Sequence, residues 1–168
     1  MLEEAAEFIL SHGGMVRHCA EKSPAFLRFE PRRLRSHRMP SKTTRILLAD
    51  DHGVVRNGFR ALLAAQWDME VVGEASNGRE AVEMAEKFTP DVVVMDVTMP
   101  ELNGIEAARQ ITKVLPKTRI LALSMQKDSV YVREMLRAGA KGYLLKDCNE
   151  ADFLAAVHQA VGQFRLVE

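Results

Sequence analysis

Three carboxylates, one hydroxyl and one ammonium stand at the ends of apolar runs in this chain. Asp50 and Asp51 close Ile46-Leu-Leu-Ala, Asp96 closes Asp91-Val-Val-Val-Met, Ser124 closes Arg119-Ile-Leu-Ala-Leu, and Lys146 follows Gly142-Tyr-Leu-Leu. Carboxylates gathered at 4 Å repel by about 4 kcal/mol per pair at an effective dielectric near 20. Something positive must offset that. Lys146 supplies one charge, and a divalent cation would supply two. Asp50, Asp51 and Asp96, with the backbone carbonyl near Thr98, make a hard-oxygen set suited to Mg²⁺. A carboxylate beside such an ion can also attack phosphorus and form an aspartyl phosphate. The three oxygens of the transferred group then need partners, and the cation, the Ser124 hydroxyl and the Lys146 ammonium provide one each.

Each residue has a plainer reading by itself. Asp50 or Asp51 alone reads as a helix cap, Ser124 as a strand-end hydroxyl, Lys146 as a solvated charge, and His52 as a helix-start residue rather than a ligand. Asp96 resists that treatment, because an acid ending an apolar strand needs some partner. Only as a set do these residues specify a site.

The set requires elements that bring the strand ends together. Val-Val-Val-Met before Asp96 fits a strand buried on both faces, as in a parallel sheet covered by helices. Short runs at 46–49, 69–75, 91–96, 119–124 and 142–145 supply five strands. Between and after them lie helical patterns. Val55, Phe59, Leu62 and Leu63 share one face, as do Ile105, Ala108, Ile111 and Leu115 after Gly104. Val132, Met135 and Leu136 point inward in the next helix, and Phe153, Leu154, Val157 and Val161 form the last stripe. Asn77 with Glu80 three residues on predicts an N-cap, as do Asp128 and Asn149, and Gly139 predicts a helix stop. The expected fold is an α/β doubly wound, five-stranded parallel sheet with helices on both faces. Open sheets of this kind place their sites at the carboxyl ends of the strands.

The 168 residues are 47% hydrophobic and 27% charged, with zero formal net charge. That suits one domain with a proper core. Residues 1–44 hold Pro24, Pro31 and Pro40 among Arg32, Arg33, Arg35 and Arg38. They are expected to be a disordered basic leader with at most a short helix in residues 1–10, leaving 45–168 as the domain. Met39-Pro-Ser-Lys would serve as an alternative start. Cys19 and Cys148 match no metal or redox spacing, which predicts free thiols in a reducing compartment. No stretch approaches the roughly 18 apolar residues of a membrane span, and the acidic start is unlike a secretory signal. A cytoplasmic protein with no membrane partner is expected.

Residues 45–168 resemble a response-regulator receiver domain of two-component signal transduction, of the type that carries a LuxR-like helix-turn-helix output. The matching words are Leu-Ala-Asp-Asp-His, Met-Asp-Val-Thr-Met-Pro with Gly104, Leu-Ser-Met, and Ala-Lys-Gly-Tyr-Leu-Leu-Lys. The resemblance implies a flavodoxin-like sheet of order 2-1-3-4-5, an order taken from the family. It implies that Asp96 accepts a phosphoryl group from a sensor histidine kinase. Asp51 and Asp96 would bind Mg²⁺ directly, Asp50 through water, and Thr98 through its backbone carbonyl. Ser124 and Lys146 would hold phosphoryl oxygens, and Tyr143 would be the aromatic switch. On phosphorylation Ser124 would move toward the new group and Tyr143 would turn inward. The face made by the helix after Asp128, the 142–145 strand and the last helix would then change shape. A core-edge aromatic is the plain alternative for Tyr143.

The implied protein is a phospho-accepting regulator, not an enzyme, that assists its own phosphorylation and dephosphorylation. It would control transcription and form a phosphorylation-dependent homodimer. DNA would be reached only through an output domain, which the chain, ending at Glu168 after the last helix, is expected to lack. Asp147 follows Lys146 where many receivers have proline, so a cis peptide is less expected there. Two rival functions share the fold and some residues. An aspartate-nucleophile phosphatase would need a second acid where Thr98 stands, and a flavodoxin-like cofactor binder would need a Gly/Ser/Thr phosphate loop where Asp50 and Asp51 stand.

Overall fold

The computed structural model describes residues 43–162 and the backbone of the short strand Met15–Arg17. The helix expected in residues 1–10, Cys19 and the rest of the leader lie outside the described residues. The elements are β1 (Met15–Arg17), β2 (Thr44–Ala49), α1 (Gly53–Ala64), β3 (Met69–Ala75), α2 (Gly78–Phe88) and β4 (Val92–Asp96). They continue with α3 (Gly104–Val114), β5 (Arg119–Ser124), α4 (Ser129–Arg137), β6 (Gly142–Leu145) and α5 (Glu150–Ala160). All strand pairs are parallel, in the order β1-β6-β5-β4-β2-β3. The five strands β2 to β6 thus follow the expected 2-1-3-4-5 order.

Period-two alternation splits the core between the two faces of the sheet. Leu47, Val93, Met95, Ile120 and Ala122 pack under α2, α3 and α4 with Ala81, Ala108, Ile111 and Met135. Ile46, Leu48, Val94, Leu121 and Leu123 face α1 and α5 with Leu63, Phe153 and Val157. Every residue of β4 is buried. Each apolar side chain among them contributes about 1.5–3 kcal/mol on burial, which is why an unbroken apolar run sits in mid-sheet.

The starts of α2, α3, α4 and α5 are set by side-chain caps. Asn77, Asn103, Asp128 and Asn149 accept the backbone N–H of Glu80, Glu106, Val130 and Asp152 respectively. Glu80 Oε2 in turn accepts from the backbone N–H and hydroxyl of Ser76, and these bonds hold its carboxyl below the ordinary range. Gly139, at φ +104°, turns the chain after α4. The last helix is pinned at its far end, where His158 contacts the Leu154 carbonyl and the Asp68 carboxylate, each at 2.9 Å. Among the described residues there is no cis peptide bond, and no helix is long and apolar enough to cross a membrane.

Strand β1 is an addition to the expected sheet. Met15, Val16 and Arg17 pair with Gly142, Tyr143 and Leu144, extending the edge beyond β6. Three residues are too few for periodicity to reveal. Ordering them costs about 1–2 kcal/mol each, while each hydrogen bond returns about 0.5–1.5 kcal/mol, so the pairing is close to balance.

Candidate functional site

Parallel strands deliver their carboxyl ends to one edge, and two aspartates there fold back on their own backbone. Asp50 follows β2, and its Oδ1 accepts the His52 N–H at 2.8 Å. Asp96 ends β4, and its Oδ1 accepts the Thr98 N–H at 3.2 Å. These turns leave Oδ2 of each carboxylate facing the space between the strands. Lys146 fills it from the end of β6: Nζ lies 2.6 Å from Asp96 Oδ2 and 2.8 Å from Asp50 Oδ2. All three side chains are nearly inaccessible, at 4–6% exposure. The Lys146 backbone N–H donates to the Ser124 carbonyl at 2.9 Å, which fixes the point from which its side chain extends.

Charge in this place is balanced by contact, because the side chains are buried. Burial pushes the Asp96 carboxyl above its ordinary value, against the hydrogen bond and charge of Lys146, which pull it down. Burial also works against the Lys146 ammonium, but its contacts with Asp50 and Asp96 prevail and hold it above the ordinary lysine value. Asp50 Oδ2 is buried, and the group that reaches it is the Lys146 ammonium at 2.8 Å. Such an oxygen is costly unless a donor or cation reaches it.

Asp51 and His52 complete the rim. Asp51 is more exposed than Asp50, and its Oδ1 lies 2.7 Å from His52 Nδ1. His52 is the N-cap residue of α1 and makes no side-chain cap bond, in keeping with a helix-start position. One ligand atom each from Asp50, Asp51, His52 and Asp96 fits within 4.8 Å of the others, a cluster able to coordinate a metal ion. Thr98 is exposed in the loop after β4. That loop is closed tightly, since the Gly104 N–H donates to Val97 O at 3.0 Å and a Cβ on Gly104 would lie 1.9 Å from Asp96 O.

Ser124 ends β5, one residue beyond Leu123, the partner of Asp96. It is 1% exposed, and its Oγ accepts the Gln126 N–H at 3.0 Å. Tyr143 donates its hydroxyl to the Gln126 carbonyl at 2.9 Å. Its ring is 2% exposed and belongs to the core under α4, and this burial raises its pKa. The expected inward turn of Tyr143 therefore begins from a ring that is already inside.

The structure thus gathers Asp50, Asp51, Asp96 and Lys146 at one point, with Ser124 on the adjoining strand end and Tyr143 tied to it through Gln126. Two contributors were not legible from sequence. Arg56, on α1, bonds the Asp50 carbonyl and the Glu74 carboxylate, bracing the acidic loop against β3. Gln126 acts through its backbone, for which residue type gives no signal.

A family model, that of the response regulator receiver domain, matches residues 46–158. The uncharacterized transcriptional regulatory protein YxjL of Bacillus subtilis (strain 168) is 47% identical over 116 residues, covering 69% of this chain and 53% of that protein. The nitrate/nitrite response regulator protein NarL of Escherichia coli (strain K12) is 42% identical over 115 residues, 68% of this chain and 53% of its own. The chain spans about half the length of these curated relatives. The signal receiver domain of the putative response regulator NarL from Mycobacterium tuberculosis superposes with a TM-score of 0.70 at 31% identity, covering 73% of this chain and 99% of that one. A LuxR-family two-component response regulator from Aurantimonas sp. SI85-9A1 gives 0.69 at 38% identity, covering 74% and 89%. An acid cluster closed by a buried lysine at the carboxyl edge of a 2-1-3-4-5 sheet, matched along its whole extent in this way, makes the chain a member of the response-regulator receiver family, a signalling domain with a phospho-accepting site.

Proposed function

We propose that Asp96 takes a phosphoryl group from a phosphohistidine of a sensor histidine kinase, with Mg²⁺, and that this controls an output, transcription, through a DNA-binding module. The observation that carries the reading is the buried Lys146 ammonium shared between Oδ2 of Asp96 and Oδ2 of Asp50. The donor set fits the ion. Asp50, Asp51 and Asp96 are hard oxygen ligands within one ion's reach, and Thr98 would add its backbone carbonyl. When bound, Mg²⁺ would neutralise carboxylate and phosphoryl charge and orient the transferred group.

The residues themselves do the rest. An Asp96 carboxylate oxygen attacks phosphorus, the bond from phosphorus to the donor imidazole nitrogen breaks, and that nitrogen keeps the electron pair. Lys146, already against Asp96 Oδ2, holds a phosphoryl oxygen as the carboxylate loses its charge. The Ser124 Oγ accepts from Gln126, which leaves its own proton free to donate to a second oxygen. Because Gln126 bonds Ser124 through N–H and Tyr143 through C=O, a shift of Ser124 is passed to Tyr143 and to the face formed by α4, β6 and α5. Tyr143 and Ser124 are thus assigned as the switch pair. In this reading the switch is a displacement of an already buried ring. Phosphorylation-dependent pairing of two copies, action in the cytoplasm and contact with DNA through a further module belong to the same proposal.

The test is incubation with Mg²⁺ and acetyl phosphate followed by intact mass. One labile phosphoryl group is expected on the wild-type chain and none on Asp96→Ala. Absence of the gain in wild type, turnover of added phosphoesters, or a protein that purifies with bound flavin would each refute the reading.

A further inference from the structure

β6 is the strand that joins the switch to the site. It carries Tyr143, and the residue after its last is Lys146, whose Nζ lies against Asp96. Among the described residues, its outer edge is where the leader joins the domain. Met15–Arg17 pair there in parallel, with Val16 directly opposite Tyr143. An open edge of this kind is a template for an added strand, and all four β6 residues are buried with β1 in place.

We infer that the β6 edge is a strand-addition surface whose partner is the chain's own leader, and that Met15–Arg17 is a releasable clasp whose closure is coupled to the phosphorylation site through β6. The regulatory half of this rests on the function proposed above.

Three observations carry it. The clasp is short, so its ordering cost and hydrogen bonding nearly cancel and small changes in β6 shift its population. The coupling route is brief: Val16 is in register with Tyr143, and Lys146 follows three residues later, just past the end of β6. The pairing closes within one chain. β1 lies four strand spacings from β2, about 19 Å across the sheet at ~4.8 Å per spacing, far less than residues 18–43 can span. Coupling is reciprocal, so a clasp that responds to phosphoryl binding also sets the affinity for it. While closed, it denies the β6 edge to any second strand.

The experiment is residue-resolved amide hydrogen exchange on the full chain, alone and with Mg²⁺ and beryllofluoride as a phosphoryl mimic. The comparison protein is the double variant Met15→Pro/Val16→Pro, which removes backbone donors from β1 and touches nothing in the site. In wild type the edge-facing amides of Gly142–Leu145 are expected to be protected, and the variant should lose roughly tenfold or more of that protection while α2 and α3 are unchanged. The mimic should alter edge protection several-fold in wild type and leave the variant's edge unmoved. Equal protection in both proteins overturns the clasp. Protection that falls on dilution overturns closure within one chain and assigns the strand to a second copy. An edge indifferent to the mimic, in a protein that acetyl phosphate still labels, overturns the coupling. Failure of labelling itself counts against the proposed function, and the unliganded exchange comparison still decides the clasp.

Discussion

Replacing Lys146 by Met keeps most of the buried stem and removes only the ammonium, so it isolates the charge that the acid pocket depends on. Asp50 and Asp96, both about 4% exposed, would then face each other without compensation in metal-free buffer. Breaking a buried pair by deleting one partner costs about 3–5 kcal/mol. An independent ceiling comes from protonation, since Asp96 can escape its charge by binding a proton. Relative to an unfolded chain with the ordinary value of 3.8, that escape costs about 4 kcal/mol at pH 7, taking 1.36 kcal/mol per unit. The two routes agree.

The second route also fixes the pH dependence. A carboxyl raised in the folded state binds its proton more readily than the unfolded chain does, so the penalty shrinks as pH falls. At pH 5 the ceiling is under about 2 kcal/mol. Urea unfolding of wild type and Lys146→Met in EDTA, at pH 5 and pH 7, measures both quantities. Added Mg²⁺ should recover much of the loss, about 2.7 kcal/mol at a hundred times its dissociation constant. A loss below about 1 kcal/mol at pH 7, or one that does not shrink toward pH 5, would refute the account of Lys146 as the counter-charge.

Gly104→Ala places a Cβ 1.9 Å from the Asp96 carbonyl oxygen. Thermal or urea unfolding should show a loss at or beyond the 1–3 kcal/mol, roughly, of an overpacked site, together with impaired phosphorylation by acetyl phosphate. Tyr143→Phe leaves the Gln126 carbonyl without its donor, so a destabilisation of about 1 kcal/mol is expected in urea, with the ring still buried. The Glu80 carboxyl, held below its ordinary value of 4.5 by Ser76, contributes stability that is complete above that value and disappears as pH falls through its lowered one. Unfolding midpoints between pH 3 and pH 6 should therefore drop less steeply in Glu80→Gln than in wild type.

The candidate site residues could be picked out because the sheet imposes a rule simple enough to read from one chain. An apolar run that stops at Asp96 or Ser124 must stop at the same edge as its parallel neighbours. Helix starts at Asn77, Asp128 and Asn149 were legible for a similar reason, since a cap is a local bond between residues two or three apart. What stayed hidden depends on contacts that sequence spacing does not encode. Arg56 reaches the Asp50 carbonyl only because α1 folds back over β2, and Gln126 takes part through a peptide group that every residue possesses. The inward seat of Tyr143 depends on how α4 packs. The three residues of β1 have no pattern to detect, and only the vacant edge of β6 gives them a place.

The loop between β4 and α3 has a consequence for how events at Asp96 are felt elsewhere. Residues 97–103 leave the strand and return to it within one peptide, because Gly104 is bonded to Val97 and lies almost against the Asp96 carbonyl. A buckle fastened that closely has no slack. Any displacement at its aspartate end is handed on to the first turn of α3 or pushed back across the sheet, and a side chain as small as a methyl group at Gly104 would jam it.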